Sequence, residues 1–242
     1  MTLLTVFQEA STVIGMDVPD SVYGSSAREH QELGVVANTM GRRIARAYEW
    51  QELKRTATIT GDGVTGDFAL PADYDRMPKQ ASLWSDTIPG FTHVTDYDKW
   101  LEWLTVMFST VSNIWTLLGG RIHVRPVLQP GVTATYTYQS KLFAIPSSIA
   151  IPPPGEPIIA DYQPKFERDA DSFLLNEELL KLGIIFQWKA NKGHAYAEDM
   201  ANYEELLATL TATNIGPRRI RIGVARMPTD AVYAYPGTVG LG

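Results

Sequence analysis

The sequence predicts an α+β fold: a helical bundle built from both termini, a β-rich insertion between them, and an extended C-terminal tail. Three observations predict it. Apolar residues recur at spacings of three and four over residues 26–53 and again beyond residue 176, the period of a helix with one buried face. From Lys54 onward the texture becomes alternating and rich in turns, as strands require. Past residue 214, glycine and proline replace any helical period, which leaves extended chain.

The composition limits what the chain can be. Its 242 residues are 45% hydrophobic, enough to bury a core without a metal or a disulfide. There is no cysteine, which excludes a disulfide framework, a thiolate zinc site and a cysteine nucleophile together. Nowhere do 18 apolar residues run together, so no membrane-spanning helix is expected and the protein should be soluble. The opening "MTLLTVFQEASTVIG" has no basic leader and carries Glu9 inside its apolar run; it reads as a short amphipathic helix, not a secretory signal. A formal charge of -6 argues against gripping nucleic acid by its phosphates, because that affinity comes from lysine and arginine displacing counterions. A protein that merely lets DNA pass remains compatible with it.

The elements follow in order. Residues 1–54 form the first part of a helical core, with the main helix over 26–53. Ser26 and Glu29 have the spacing of a capping box, and Leu33, Val36/Ala37, Met40, Ile44 and Ala47/Tyr48 share one face. Arg42, Arg43 and Arg46 leave on other faces, either as solvated charges near a helix end or as a subunit contact. Residues 55–140 form a β-rich insertion with one helix. "KRTATITGDGVTGDFALP" reads as a hairpin about the glycine-rich turn at 61–66, with further strands at 79–85, 112–118, 121–126 and 132–139. Gly119-Gly120 and "QPG" at 129–131 connect them, and "TDYDKWLEWLTVM" sets Trp100, Trp103, Leu104 and Met107 at helical spacing. Residues 141–168 are a proline-rich extended arm, since repeated proline suits neither a helix interior nor a central strand. Residues 169–215 are the second part of the helical core. Asn176 caps a helix with Leu179, Leu180, Ile184 and Trp188 inward and Gly193 as its stop; Tyr196, Met200, Tyr203, Leu207 and Leu210 then mark a second, antiparallel helix. Residues 216–242 are the tail. It crowds Arg218, Arg219, Arg221 and Arg226 ahead of Tyr233 and Tyr235, as a docking peptide for a protein groove or as a disordered end.

Reactive constellations are hard to build from these residues. Asp67, Asp73 and Asp75 cluster around Leu70-Pro71, but two carboxylates two apart point to opposite sides of a strand. A turn, with Pro71 fixing φ and Asp73 bonding the local backbone, explains them. His30, His93, His123 and His194 lie too far apart in sequence to form a ligand pair. Ser25 and Ser26 lack a nucleophile elbow and suit a helix cap, and "GDGVTG" lacks a phosphate-binding lysine and a following helix. Glu167, Asp169, Asp171, Glu177 and Glu178 could serve a glycan hydrolase, although carboxylates at a helix start are what the helix dipole favours. The six tryptophans fall mostly in apolar periodicity and read as core or interface. No catalytic residue, cofactor or metal ligand is assigned.

A short helix, then a long helix ending "RRIARAYEWQELKRTATIT", then "DFALPADYDRM", "RIHVRP", "TATYTYQS" and "DADSFLLNEELLKLGIIFQWKANKGHAYAEDMANYEELL" follow one another here. This order resembles the head-to-tail adaptor proteins of tailed bacteriophages, also called connector-ring or head-completion proteins, which include the tail tubular A type. The resemblance covers residues 1 to about 225. It implies a helical-bundle core with a β insertion, assembling as a ring of twelve copies beneath the portal protein at the head-tail junction of the virion. It implies a C-terminal extension that reaches the portal, which makes Arg218, Arg219, Arg221, Arg226, Tyr233 and Tyr235 the portal-binding residues. It implies no catalytic residue, cofactor or membrane. The implied partners are portal, a tail or neck protein below the ring, and further copies of the chain, made in the host cytoplasm. Genomic DNA would pass through without specific binding. A closed ring uses heterologous interfaces, for which Arg42, Arg43, Arg46 and the proline arm are candidates, and an acidic lumen would repel DNA phosphates. The alternatives are another neck or tail-completion role (head closure or tail terminator), a cell-wall glycan hydrolase using the carboxylates at 167–178, and a small host-encoded binding module.

Overall fold

The structure, a computed structural model, describes residues 1–79, 81–88, 90–105, 112–148 and 162–214. The chain begins with helices α1 (Leu3–Ile14) and α2 (Arg28–Ala47) and a 3-10 turn at Gln51–Leu53. Strands β1 (Lys54–Thr60), β2 (Asp67–Ala69), β3 (Tyr74–Arg76) and β4 (Thr92–His93) follow, then helix α3 (Tyr97–Thr105). Next come β5 (Ile114–Leu118), β6 (Arg121–Arg125), β7 (Thr133–Ser140), β8 (Ala144–Ile145) and β9 (Ser172–Phe173), and finally α4 (Glu177–Lys192) and α5 (Ala197–Asn214). The fold is mixed α+β, as the sequence predicts.

Helix α4 packs against α1, α2 and α5. Leu3, Phe7 and Ala10 of α1, the Leu33, Ala37, Met40 and Ile44 face of α2, and Leu179, Leu180, Ile184 and Trp188 of α4 belong to one hydrophobic cluster. Those of α2 and α4 are residues the helical period places inward. The ends of α4 also follow the sequence: the Asn176 side chain accepts from Leu179 N at 2.8 Å, and Gly193 adopts the left-handed conformation with φ 74°, which glycine tolerates without a Cβ clash. Phe143, Phe166 and Phe173, from the chain around β8 and β9, meet edge to face and belong to the same cluster.

Three helical expectations are corrected. The Ser26–Glu29 capping box does not form, for α2 starts at Arg28 after Ala27 with no side-chain cap; Ser25 instead accepts from Ala27 N at 3.1 Å and bonds the His30 ring at 2.9 Å. Helix α2 stops at Ala47, short of the expected 53, because Trp50 folds back and donates to Ile44 O at 2.7 Å, satisfying a terminal carbonyl from a non-helical residue. On α5, Tyr203 is buried and Leu206, Leu207 and Leu210 half-buried, while Tyr196 (42% exposed) and Met200 (38%) stay uncovered among the described residues.

The β residues form two main sheets, ordered β1-β7-β3 and β2-β6-β5-β4, with β8-β9 as a separate pair. Trp115, Ile122, Val124, Leu128, Ala134 and Tyr136 fill the core between them. Gly119 and Gly120, with φ 59° and 73°, make the two-residue connection of the β5–β6 hairpin, since a type I′ turn needs positive φ at both positions. The expected β1–β2 hairpin is not formed. Strand β1 pairs β7 from Lys54↔Gln139 to Thr60↔Thr133, and β2 pairs β6, so the turn at 61–66 carries the chain from one sheet to the other. Its glycine serves close approach: a Cβ on Gly61 would stand 2.5 Å from the Gln129 carbonyl oxygen. Asp62 closes the turn by accepting from Val64 N (2.8 Å), Thr65 N (2.7 Å) and Thr65 Oγ1 (2.5 Å), and these bonds, led by the Thr65 hydroxyl, hold its carboxyl down to about 2. Of the strand expected at 79–85, the described residues form one bridge, Trp84 to Thr135. Leu104, expected inward on α3, is 49% exposed, whereas Trp100 is buried; Met107 lies outside the described residues. So does much of the proline arm, residues 149–161.

Candidate functional site

The rival enzymatic reading rests on the carboxylates. Asp67, Asp73 and Asp75 do not converge on one point: each is taken by its own partner. Asp67 Oδ1 lies 2.6 Å from His123 Nδ1. Asp73 accepts from the Tyr138 hydroxyl at 2.8 Å and sits 3.3 Å from Arg55; burial of the Tyr138 phenol, with the Asp73 carboxylate second, pushes it well above its usual range. Asp75 pairs with Arg46 at 2.6 Å and Arg76 at 2.9 Å. The turn is present, but the Asp73 side chain does not bond the local backbone as expected; Tyr74 N donates to Pro71 O at 3.0 Å instead. The His123 partner of Asp67 was out of reach of sequence reasoning, since it comes from the Asp67↔His123 register of β2 and β6.

The second carboxylate group is a structural knot. Asp171 accepts from Glu167 N (2.8 Å), Arg168 N (2.9 Å) and Ser147 N (3.3 Å). Asp169 accepts from Ser21 Oγ (2.5 Å), Val22 N (3.0 Å) and Tyr23 N (3.1 Å). The backbone carbonyls of the same two residues take the first free N–H groups of α1, from Leu3 at 2.8 Å and Leu4 at 2.9 Å, which a helix start must satisfy. Glu177 meets the Met1 amino group at 3.0 Å, and Glu178 lies 3.9 Å from Lys181. Among the described residues no three His, Asp or Glu side chains gather as a metal site.

The surface with the most shape runs along α2. Val35 stands 67% exposed on its solvent ridge. One flank carries a groove of about 540 Å³ against Trp188 and Lys192 of α4. The other carries two adjoining hollows of about 420 and 250 Å³, which share Arg42 and Lys165. Of the three arginines singled out by sequence, Arg42 donates to Asn38 O of its own helix at 3.2 Å, Arg43 reaches Gln187 of α4 at 2.5 Å, and Arg46 ties to Asp75. All three are exposed, and Arg42 and Arg46 line the smaller hollow with Lys141 and Lys165. Sequence reasoning missed the two lysines, which lie towards the two ends of the proline arm in a stretch with no period to place them. Arg218, Arg219, Arg221, Arg226, Tyr233 and Tyr235 lie outside the described residues. No helix among the described residues is long and apolar enough to cross a membrane.

A family model described as SU10 adaptor protein matches residues 1–223, which takes in every described helix and strand. No curated protein matches the chain.

Proposed function

The chain belongs to the SU10 adaptor protein family, a family of phage adaptors, and from that premise we propose that it joins portal to tail as a ring continuing the DNA channel. The adaptor role itself is structural and belongs to the virion. The finer reading is a closed ring of twelve copies, in which the helices from both ends of the chain form a bundle, the residues around Arg42, Arg43 and Arg46 face a neighbouring copy, and DNA slides past without specific binding. Residues 216–242 dock on portal through Arg218, Arg219, Arg221, Arg226, Tyr233 and Tyr235.

One observation carries this reading: the family match spans the whole described fold and reaches into the first arginines of the tail. The partnered state of Asp67, Asp73, Asp75, Asp169 and Asp171 supports it, since these residues serve shape. Removal of residues 218–242 tests the docking role. The last described helix ends at Asn214, so the truncated chain is expected to fold with unchanged circular dichroism and to lose capture by immobilised portal. Undiminished capture refutes the docking role; binding to a tail component alone moves the chain to head closure or tail termination.

A further inference from the structure

We propose that α5 of one copy docks along α2 of the next, its acidic face against the basic hollow at Arg42; this deepens the ring reading and rests on it. The two surfaces are opposite in charge and alike in layout. On α2, exposed Val35 is followed seven residues later by Arg42, so an apolar contact and a cation lie on one ridge. Among the described residues Arg42 donates only to its own helix, and Lys141, on the same hollow, has no carboxylate partner there. Asp75, the one carboxylate lining that hollow among the described residues, is held by Arg46 and Arg76.

Helix α5 presents the counterpart. It contains no lysine or arginine. Asp199 is held by Lys189 at 2.7 Å, but Glu198, Glu204 and Glu205 are exposed and without an ion pair among the described residues. Tyr196, Met200 and Glu204 follow at intervals of four, which puts two uncovered apolar side chains and a carboxylate along one line. Apolar contact can therefore meet apolar contact while Glu204 and Glu205 approach Arg42 and Lys141. Both helices are seated on α4, so one copy offers both surfaces at once. Two different, complementary surfaces on one subunit make a heterologous contact that propagates and can close into a ring.

Charge reversal tests this with the full chain, by sedimentation velocity and by counting copies bound per cognate portal. The wild type is expected to assemble in low salt and to weaken as salt screens the contact. Arg42→Glu with Lys141→Glu, and separately Glu204→Arg with Glu205→Arg, should each weaken assembly by about tenfold or more, since two favourable surface pairs become repulsive. Mixed one to one, the two variants should assemble again, because every α2–α5 contact is then complementary when they alternate. Single variants that assemble like the wild type, or a mixture that stays apart, overturn the proposal while leaving the adaptor reading intact. Loss of duplex DNA binding in the α2 variant with assembly unchanged also overturns it, by making the hollow a phosphate surface. A wild type that neither self-associates nor loads on portal removes the ring reading and this proposal together.

Discussion

Asp171 is 1% exposed and no cation among the described residues pairs with it; its oxygens are satisfied by backbone N–H groups at Glu167, Arg168 and Ser147. Charge-assisted bonds of this kind are stronger than neutral ones, and a buried donor left alone costs its full desolvation. Asp171→Asn keeps one acceptor oxygen but turns an NH2 group towards a buried N–H. The expected loss is about 2–3 kcal/mol of stability, read as a lower urea midpoint with unchanged slope. In sequence, Asp171 looks like one of several acids ahead of a helix, and the helix dipole, which favours Glu177, gives it no special place. The three amides that need it come from opposite ends of the proline arm, Ser147 at one and Glu167 and Arg168 at the other, and only their meeting identifies its role. Asn176, by contrast, is legible because its donor, Leu179 N, is three residues away.

Helix α2 shows the limit of local preference at the scale of an element. Gly41 costs a helix about 1 kcal/mol relative to alanine, so Gly41→Ala would stabilise α2 in isolation. In the fold, the added Cβ would lie 2.7 Å from Phe143 Cε2. That ring is backed by Phe166 at 5.3 Å and Phe173 at 6.0 Å between centroids, leaving it little room to move. Overpacking costs about 1–3 kcal/mol and outweighs the helical gain. Gly41→Ala is expected to lower the melting temperature by several degrees, measured by scanning calorimetry, while Gly41→Ala with Phe143→Leu recovers part of the loss. Strand β1 teaches the same lesson. Its threonines 56, 58 and 60 and those at 137, 135 and 133 of β7 face one another in register, with Thr58 and Thr135 hydroxyls 3.0 Å apart. Alternation makes both segments recognisable as strands, yet proximity in sequence favours the wrong partner, β2.

At the scale of the molecule, the helical and β parts are joined by a few polar contacts at the end of α2. Arg76 of β3 donates to Tyr48 O at 2.7 Å and pairs with Asp75, which also holds Arg46; Gln139 of β7 donates to Trp50 O at 3.2 Å. Arg76→Ala removes a charged donor from α2's terminal carbonyls and leaves Asp75 with one cation. We expect a loss of about 1–2 kcal/mol, with a broader calorimetric transition and faster proteolysis near residues 48–54, because the join weakens before either core does. Equal sharpness of the transition would mean that the two parts are held together elsewhere. The same region bears on assembly, since Arg46 and Asp75 line the hollow proposed to receive α5.

By itself, the sequence determined the mixed class, the inward faces of α2 and α4, the ends of α4, and a likeness to phage adaptors that the family match supports. Each of those helical features depends on residues within about four positions of one another, where periodicity and capping act. Only the tertiary structure decided that β1 leaves β2 for β7, that Asp67 meets His123, and that lysines 141 and 165 gather beside Arg42. Those choices are made between segments tens of residues apart, where burial and charge pairing across the fold outweigh any preference carried along the chain.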